Sequence, residues 1–137
     1  MNALNRRDFM RGSIAAGFVS ALPFSRARGA NDRINVGVVG LGGRGAGAHV
    51  PSFEKQQGVT VVALSDPDRR RMGAAAKMTA AKYNHKAEQY GDMREMFDRG
   101  DIDVIGNATQ NYWHGLSNIW ACQAGKHVNV EIGRAHV

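Results

Sequence analysis

The chain is poor in residues that cross-link, coordinate or anchor. Only one of its 137 residues is a cysteine, Cys122, so no internal disulfide can form. Its setting, Trp120-Ala121-Cys122-Gln123-Ala124, reads as helix, where a small buried side chain is expected rather than a nucleophile. The five histidines show no metal-ligand spacing, and no metal site is predicted. Proline is scarce, and Pro51 falls inside the first helical stretch after residue 40, which predicts a late start or a kink there. No long apolar run is present. The stretch Gly12 to Phe24 is too short and interrupted for a membrane span. Acid is nearly missing from the first thirty residues, where Arg6, Arg7, Arg11, Arg26 and Arg28 face Asp8 alone. From Ala30 to Glu131 bases and acids nearly balance. The net charge of +6 therefore describes a leader, not a nucleic-acid-binding surface, and no nucleic-acid partner is expected. The triplet Arg69-Arg70-Arg71, at a helix start beside Asp68, reads as a solvated face.

Glycine, by contrast, is concentrated where it carries meaning. The apolar run Ile34-Asn35-Val36-Gly37-Val38-Val39 feeds directly into Gly40-Leu41-Gly42-Gly43-Arg44-Gly45. A buried strand followed by Gly-x-Gly-x-x-Gly and a helix is the pattern that holds a dinucleotide pyrophosphate. Gly40 allows the tight turn, Gly42 lets backbone approach phosphate without a Cβ in the way, and Gly45 lets helix and strand pack closely. The free N–H groups and dipole of the following helix face the anion. A second apolar run, Val59-Thr60-Val61-Val62-Ala63-Leu64, ends at Ser65-Asp66-Pro67. Asp66 stands about 20 residues past the turn, the spacing of the acid that accepts the adenosine ribose hydroxyls. Capping the helix that begins near Pro67-Asp68 is the other role open to it. An acid at this place favours NAD over NADP, and Arg69 or Arg70 is positioned to offset that preference.

The remaining pattern alternates. Asp66 to Tyr83 is an alanine-rich helix with one packing face, and Lys86 to Tyr90 is a short strand. Asp92 has N-cap spacing with Glu95 placed to reach back, and that helix is expected to end at Gly100. Ile102 to Ala108 reads as a fourth strand weakened by Gly106 and Asn107. His114 to Ala124 reads as a helix closed by Gly125, and His127 to Val130 as a fifth strand. The order βαβαβαβαβ predicts an α/β fold, a Rossmann-type doubly wound parallel sheet of about five strands. Residues 31–131 are enough for one small domain, and short for a complete dinucleotide-dependent enzyme.

The leader, residues 1–30, has its own signature. Asn5-Arg6-Arg7-Asp8-Phe9-Met10-Arg11 resembles a twin-arginine export signal, with Asn5 where Ser or Thr is usual. The moderately apolar stretch and the small residues around Ser25-Arg26-Ala27 and Ala27-Arg28-Gly29 fit such a signal. Recognition by the twin-arginine machinery and a periplasmic or secreted location are expected.

The turn Gly40–Gly45 with Arg44, Ala63-Leu64-Ser65-Asp66-Pro67-Asp68, Tyr90-Gly91-Asp92-Met93-Arg94-Glu95 and Asp101-Ile102-Asp103-Val104 together resemble the Gfo/Idh/MocA family, that of glucose–fructose oxidoreductase and inositol dehydrogenase. Ala108-Thr109, Trp113-His114 and the closing Ala121-Cys122-Gln123-Ala124-Gly125-Lys126-His127-Val128-Asn129-Val130-Glu131 extend the likeness, which runs from Arg33 to Glu131. The resemblance implies that Gly40, Gly42, Gly43, Arg44 and Gly45 surround the pyrophosphate and that Asp66 holds the adenosine ribose. It places Ala108 and Thr109 beside the cofactor, Trp113 and His114 at the opening of the helix nearest the nicotinamide, and Glu131 at the cofactor site. It implies NAD, with NADP possible, a sugar or polyol substrate for a full-length parent, and hydride transfer as the parent reaction. An NAD-dependent glycosidase and a binding-only fragment are the alternatives, and homo-oligomerisation of the parent stays open.

Three departures matter. Gln110-Asn111 stands where the family has Pro-Asp or Pro-Asn, and Tyr112 where His is frequent. After Glu131 the family carries Lys and Pro, the Lys being its usual catalytic or substrate-polarising residue, whereas Ile132-Gly133 follows here. Residues 132–137, Ile132-Gly133-Arg134-Ala135-His136-Val137, also read as one translated frame of a short-read sequencing adapter. A non-native tail, an absent C-terminal substrate domain and a catalytically inert chain are therefore expected.

Overall fold

Short apolar runs supply most of the sheet. In the computed structural model, which describes residues 33–131, the strands are β1 (Ile34–Val39), β2 (Val59–Ser65), β3 (Glu88–Tyr90), β4 (Val104–Asn107) and β5 (His127–Val130). The leader and the final six residues, with the expectations attached to them, lie outside the described residues. The strand order is β3-β2-β1-β4-β5 and every pairing is parallel. A π-helical turn, Gly45–His49, continues into α1 (Val50–Glu54). The other helices are α2 (Arg69–Tyr83), α3 (Met93–Phe97) and α4 (Asn111–Gln123). No helix among the described residues is long and apolar enough to cross a membrane.

Residues alternate between the two faces of the sheet except at one irregularity in β2, opposite Val36 and Gly37, that brings Val61 and Leu64 to the same face; each face is covered. Val36, Val38, Val61 and Leu64 form one core with Val50 of α1 and Ala75 of α2. Val39, Ala63 and Ile105 form the other with Met96 and Phe97 of α3 and Ala121 of α4. All are essentially withdrawn from solvent, and each fully buried Val, Leu or Phe side chain contributes roughly 1.5–3 kcal/mol. Gly106 is a packing requirement in β4 rather than a weakness. A Cβ there would come within 2.6 Å of the Phe53 ring and 3.3 Å of His49 Nδ1, so the first helical segment lies directly on the strand.

The disturbance expected at Pro51 takes a specific form. The Val50 N–H reaches back to the Gly45 carbonyl, a five-residue step, just before a proline that has no N–H to give.

Several boundaries differ from the sequence reading. The N-cap of α2 is Asp68, not Asp66: its Oδ1 accepts the Arg70 N–H at 2.9 Å. Asp92 caps α3 as expected, accepting the Arg94 N–H at 2.9 Å, but the side chain that folds back on it is Arg94, not Glu95. The Arg94 guanidinium takes the Asp92 carboxylate as a charge-assisted fork, whereas the reach-back expected of Glu95 has the Asp92 backbone N–H as its target. This helix stops at Phe97, short of Gly100. The helix α4 begins at Asn111, ahead of His114, because its N-cap, Gln110, makes no side-chain cap bond and so leaves no mark in the sequence. Cys122 is exposed. Ala121 takes the buried position, and the next residue is carried about 100° round the helix.

Candidate functional site

The glycine turn is built for two different reasons. Gly40 has φ +82°, and a Cβ on it would stand 2.7 Å from the Ala108 carbonyl oxygen and the Thr109 nitrogen. A Cβ on Gly45 would fall 1.7 Å from the Gly40 oxygen. The protein's own packing therefore demands glycine at both. Gly42 and Gly43 are free of that demand, since a Cβ on Gly42 meets only Arg71 Nη1 at 3.6 Å and one on Gly43 meets nothing within 4 Å. The room left over Gly42 opens onto a cavity, where a phosphate could approach the backbone.

Asp66 closes the turn from the other side. It is buried just beyond β2, where Oδ2 accepts the Leu41 N–H at 2.6 Å and Oδ1 the Asp68 N–H at 2.8 Å. The Gly40 N–H donates to the Ser65 carbonyl at 2.9 Å, and the Asp66 N–H to the Tyr90 carbonyl at 3.2 Å. The ends of β1, β2 and β3 are thus tied together. Each carboxylate oxygen keeps a second lone pair for an incoming hydroxyl.

A cavity of about 920 Å³ opens at these strand ends, where the order reverses between β1 and β4. Gly40, Gly42, Asp66, Ala108 and Thr109, all singled out by sequence, lie on it. Its far wall comes from the starts of α3 and α4, with Arg94 and Trp113, and from Trp120 in the last turn of α4. The cation beside the glycine turn is Arg71, not Arg69 or Arg70. Arg71 lines the cavity while its Nε sits 3.6 Å from Asp68 Oδ2.

Arg44, His114 and Glu131 are not among the residues lining that cavity. Glu131, just past β5, accepts from His49 Nε2 at 2.9 Å and pairs with Arg44 Nη2 at 3.5 Å. The His49 bond, then the Arg44 charge, with His114 adding to the field, hold its carboxyl below the usual range. His49 is buried, and its Nδ1 has no hydrogen-bond partner among the described residues. His114 binds the Thr109 carbonyl through Nε2 at 2.8 Å, which anchors the loop between β4 and α4. Among the described residues, no group of three or more His, Cys, Asp or Glu side chains could hold a metal ion.

Asn107 escaped the sequence reading except as a flaw in a strand. It is 1% exposed, and its Nδ2 donates to Ser117 Oγ at 2.6 Å and Asn118 Oδ1 at 2.7 Å. Its Oδ1 accepts the Thr109 N–H at 3.1 Å and the Thr109 hydroxyl at 2.7 Å. This one amide fixes the loop that carries Ala108 and Thr109 to α4. A polar residue ending a buried strand, with Ser and Asn on the next helix, was the available signal.

A parallel sheet in this order, with a glycine turn at its switch point and an acid closing β2, defines a dinucleotide-binding Rossmann domain. Residues 34–132 match the Gfo/Idh/MocA model, an oxidoreductase family with an NAD-binding Rossmann fold, and the chain belongs to that family. A glycosyl hydrolase family 109 protein from Shewanella pealeana is 30% identical over 153 residues, covering 94% of this chain and 33% of its own length. Myo-inositol dehydrogenase from Lactobacillus casei, in complex with NAD(H) and myo-inositol, matches with TM-score 0.63 and 25% identity over 72% of this chain and 28% of that one. The WlbA dehydrogenase from Bordetella pertussis, in complex with NADH and UDP-GlcNAcA, gives TM-score 0.61 and 25% identity over 72% and 28%. The chain spans about a third of the length of the curated relatives it matches. Fold, family and NAD-type cofactor agree with the sequence reading.

Proposed function

We propose that this chain is the NAD-binding part of an exported oxidoreductase that moves a hydride between nicotinamide and a carbinol carbon of a sugar or polyol. The observation that carries the binding role is the 2.6 Å bond between Asp66 and the Leu41 amide, which sets an acid and the open face of Gly42 on one cavity. NAD, when bound, supplies the hydride acceptor. The chain's own residues do the holding. The Gly40 and Leu41 N–H groups are already held by Ser65 and Asp66, so the amides from Gly42 to Gly45 face the pyrophosphate, Asp66 takes the adenosine ribose hydroxyls, and Ala108 and Thr109 border the middle of the cofactor. Glu131, oriented by His49 and Arg44, stands on the nicotinamide side with His114 close enough to feel its charge. A hydroxylated ligand is supported by the myo-inositol and UDP-GlcNAcA bound to the two solved dehydrogenases. Export rests on the twin arginines Arg6 and Arg7.

Calorimetric titration of the 137-residue chain with NAD tests the binding role: saturable binding at one site per chain is expected, and its absence rejects the reading. The likeness to family 109 glycosyl hydrolases favours a second reading, in which NAD oxidises a sugar transiently and a glycosidic bond is cleaved. In a protein of those relatives' full length, net NADH formation on sugars or polyols supports the dehydrogenase. Sugar release from an aryl glycoside without net NADH supports the glycosidase.

A further inference from the structure

We propose that Trp113 and Trp120 of α4 form a stacking wall for the adenine ring of the dinucleotide, a proposal that rests on the NAD-binding reading above. The chain has two tryptophans, and both stand on the cavity that carries Asp66. Their ring centroids are 6.4 Å apart and their planes are inclined by 46°. The Arg94 guanidinium carbon lies 5.6 Å from the Trp120 ring centroid, a cation–π contact. Arg94 is itself fixed by Asp92, whose two oxygens accept from its Nε at 3.0 and 3.1 Å. Trp120 is thereby anchored from the α3 side, and Trp113, 39% exposed, is the ring with open area.

The position selects the purine rather than the nicotinamide. Asp66 and Pro67 share the cavity with both indoles, so a ribose held by Asp66 carries its base toward this wall. The resemblance sets Trp113 with His114 near the nicotinamide, but the two side chains part: Trp113 lines the cavity with Asp66, whereas His114, like Arg44 and Glu131 of the other half of the cofactor, does not. A flat, apolar, π-rich purine suits an indole face, which offers stacking without hydrogen-bond readout.

Since both indoles lie at this wall, the tryptophan fluorescence of the full chain reports on the site. AMP and ADP-ribose should quench it saturably and compete with NAD, while nicotinamide mononucleotide leaves it unchanged. Trp113→Ala should weaken AMP and NAD by about tenfold or more in calorimetry, and Trp113→Phe by less. Quenching by nicotinamide mononucleotide without quenching by AMP would overturn the wall. So would a Trp113→Ala chain, folded by circular dichroism, that binds AMP as tightly as its parent. Should Trp113→Ala fail to fold, the comparison of AMP with nicotinamide mononucleotide on the unaltered chain decides. A parent chain that binds no NAD in calorimetry overturns the NAD-binding reading, and the wall with it. A parent that binds NAD but fails the AMP arm overturns the wall alone.

Discussion

Asp66 accepts the Leu41 N–H at 2.6 Å, joining the end of β2 to the second residue of the glycine turn across 25 positions of sequence. The same carboxylate shapes the turn and faces the cavity, so removing it damages both. Hydrogen bonds to a charged group contribute about 1.5–3 kcal/mol, and Asp66→Ala should lower stability by roughly that much. It should also weaken NAD by tenfold or more. Asp66→Asn is not a gentle change, because its NH2 would face one of the two backbone N–H donors that the carboxylate now satisfies. Denaturant midpoints and NAD titrations on both variants measure the two losses. A stable Asp66→Ala protein with native NAD affinity would contradict this account.

Asn107 should prove the most sensitive polar residue of the core. Asn107→Ala strips partners from Ser117, Asn118 and Thr109 at a fully buried site. Buried polar groups left unpaired cost about 1–3 kcal/mol. Asn107→Asp keeps the acceptor for Thr109 but loses both donors and buries a charge, so it should do no better. Urea denaturation checks the order, and an Asn107→Ala midpoint equal to the parent's would refute the hub.

The sheet is largely legible in the sequence, for a physical reason. Parallel strands covered on both faces need continuous apolar residues, and Val36 to Val39 and Val61 to Leu64 supply them. The glycine turn is legible because Gly40 and Gly45 leave no room for a Cβ. Asn107 is not, because its partners Ser117 and Asn118 are ten and eleven residues away and meet it only when α4 folds over β4. The start of α4 is hidden because Gln110 makes no side-chain cap bond. The choice of Arg71 over its two neighbours follows from the helical phase of α2 relative to Gly42, which three consecutive arginines do not reveal.

The Asp92–Arg94 pair carries a pH signature. Side-chain hydrogen bonds from Arg94, then its backbone N–H, pull the Asp92 carboxyl down to about 2. Its folded value lies below the ordinary aspartate value of about 3.9, so the pair's stabilisation is complete above that pH. It is lost as pH falls through about 2. Arg94→Gln should return the midpoint toward about 3.9 and remove the cation beside Trp120. Carboxyl carbon NMR titration reads the midpoint directly, and an unchanged value in Arg94→Gln would contradict the assignment.

Export is read at the leader. A reporter fused behind residues 1–30 should leave the cytoplasm folded, and replacing both Arg6 and Arg7 with Lys should trap it inside. Cell fractionation of the two fusions decides. Unchanged export of the double variant would assign the leader to the general secretory route.

The cofactor preference follows from charge at the end of β2. Asp66 is buried beside the glycine turn, and a 2′-phosphate would bring about −1.5 to −2 charges next to it. Two unit charges 4 Å apart interact by about 4 kcal/mol at the effective dielectric of a partly exposed site, so the repulsion is large on the scale of binding. Arg71 shares the cavity and offsets part of it, but its guanidinium already leans on Asp68 at 3.6 Å. NAD should therefore bind at least about tenfold more tightly than NADP, a difference of about 1.4 kcal/mol. Asp66→Ser should narrow the gap by removing the repulsion while weakening NAD. Arg71→Ala should weaken NADP more than NAD, because the pyrophosphate is common to both and only NADP adds a 2′-phosphate. Parallel titrations of the parent and both variants with the two cofactors supply the ratio, and a parent chain that prefers NADP would reverse the assigned roles of Asp66 and Arg71.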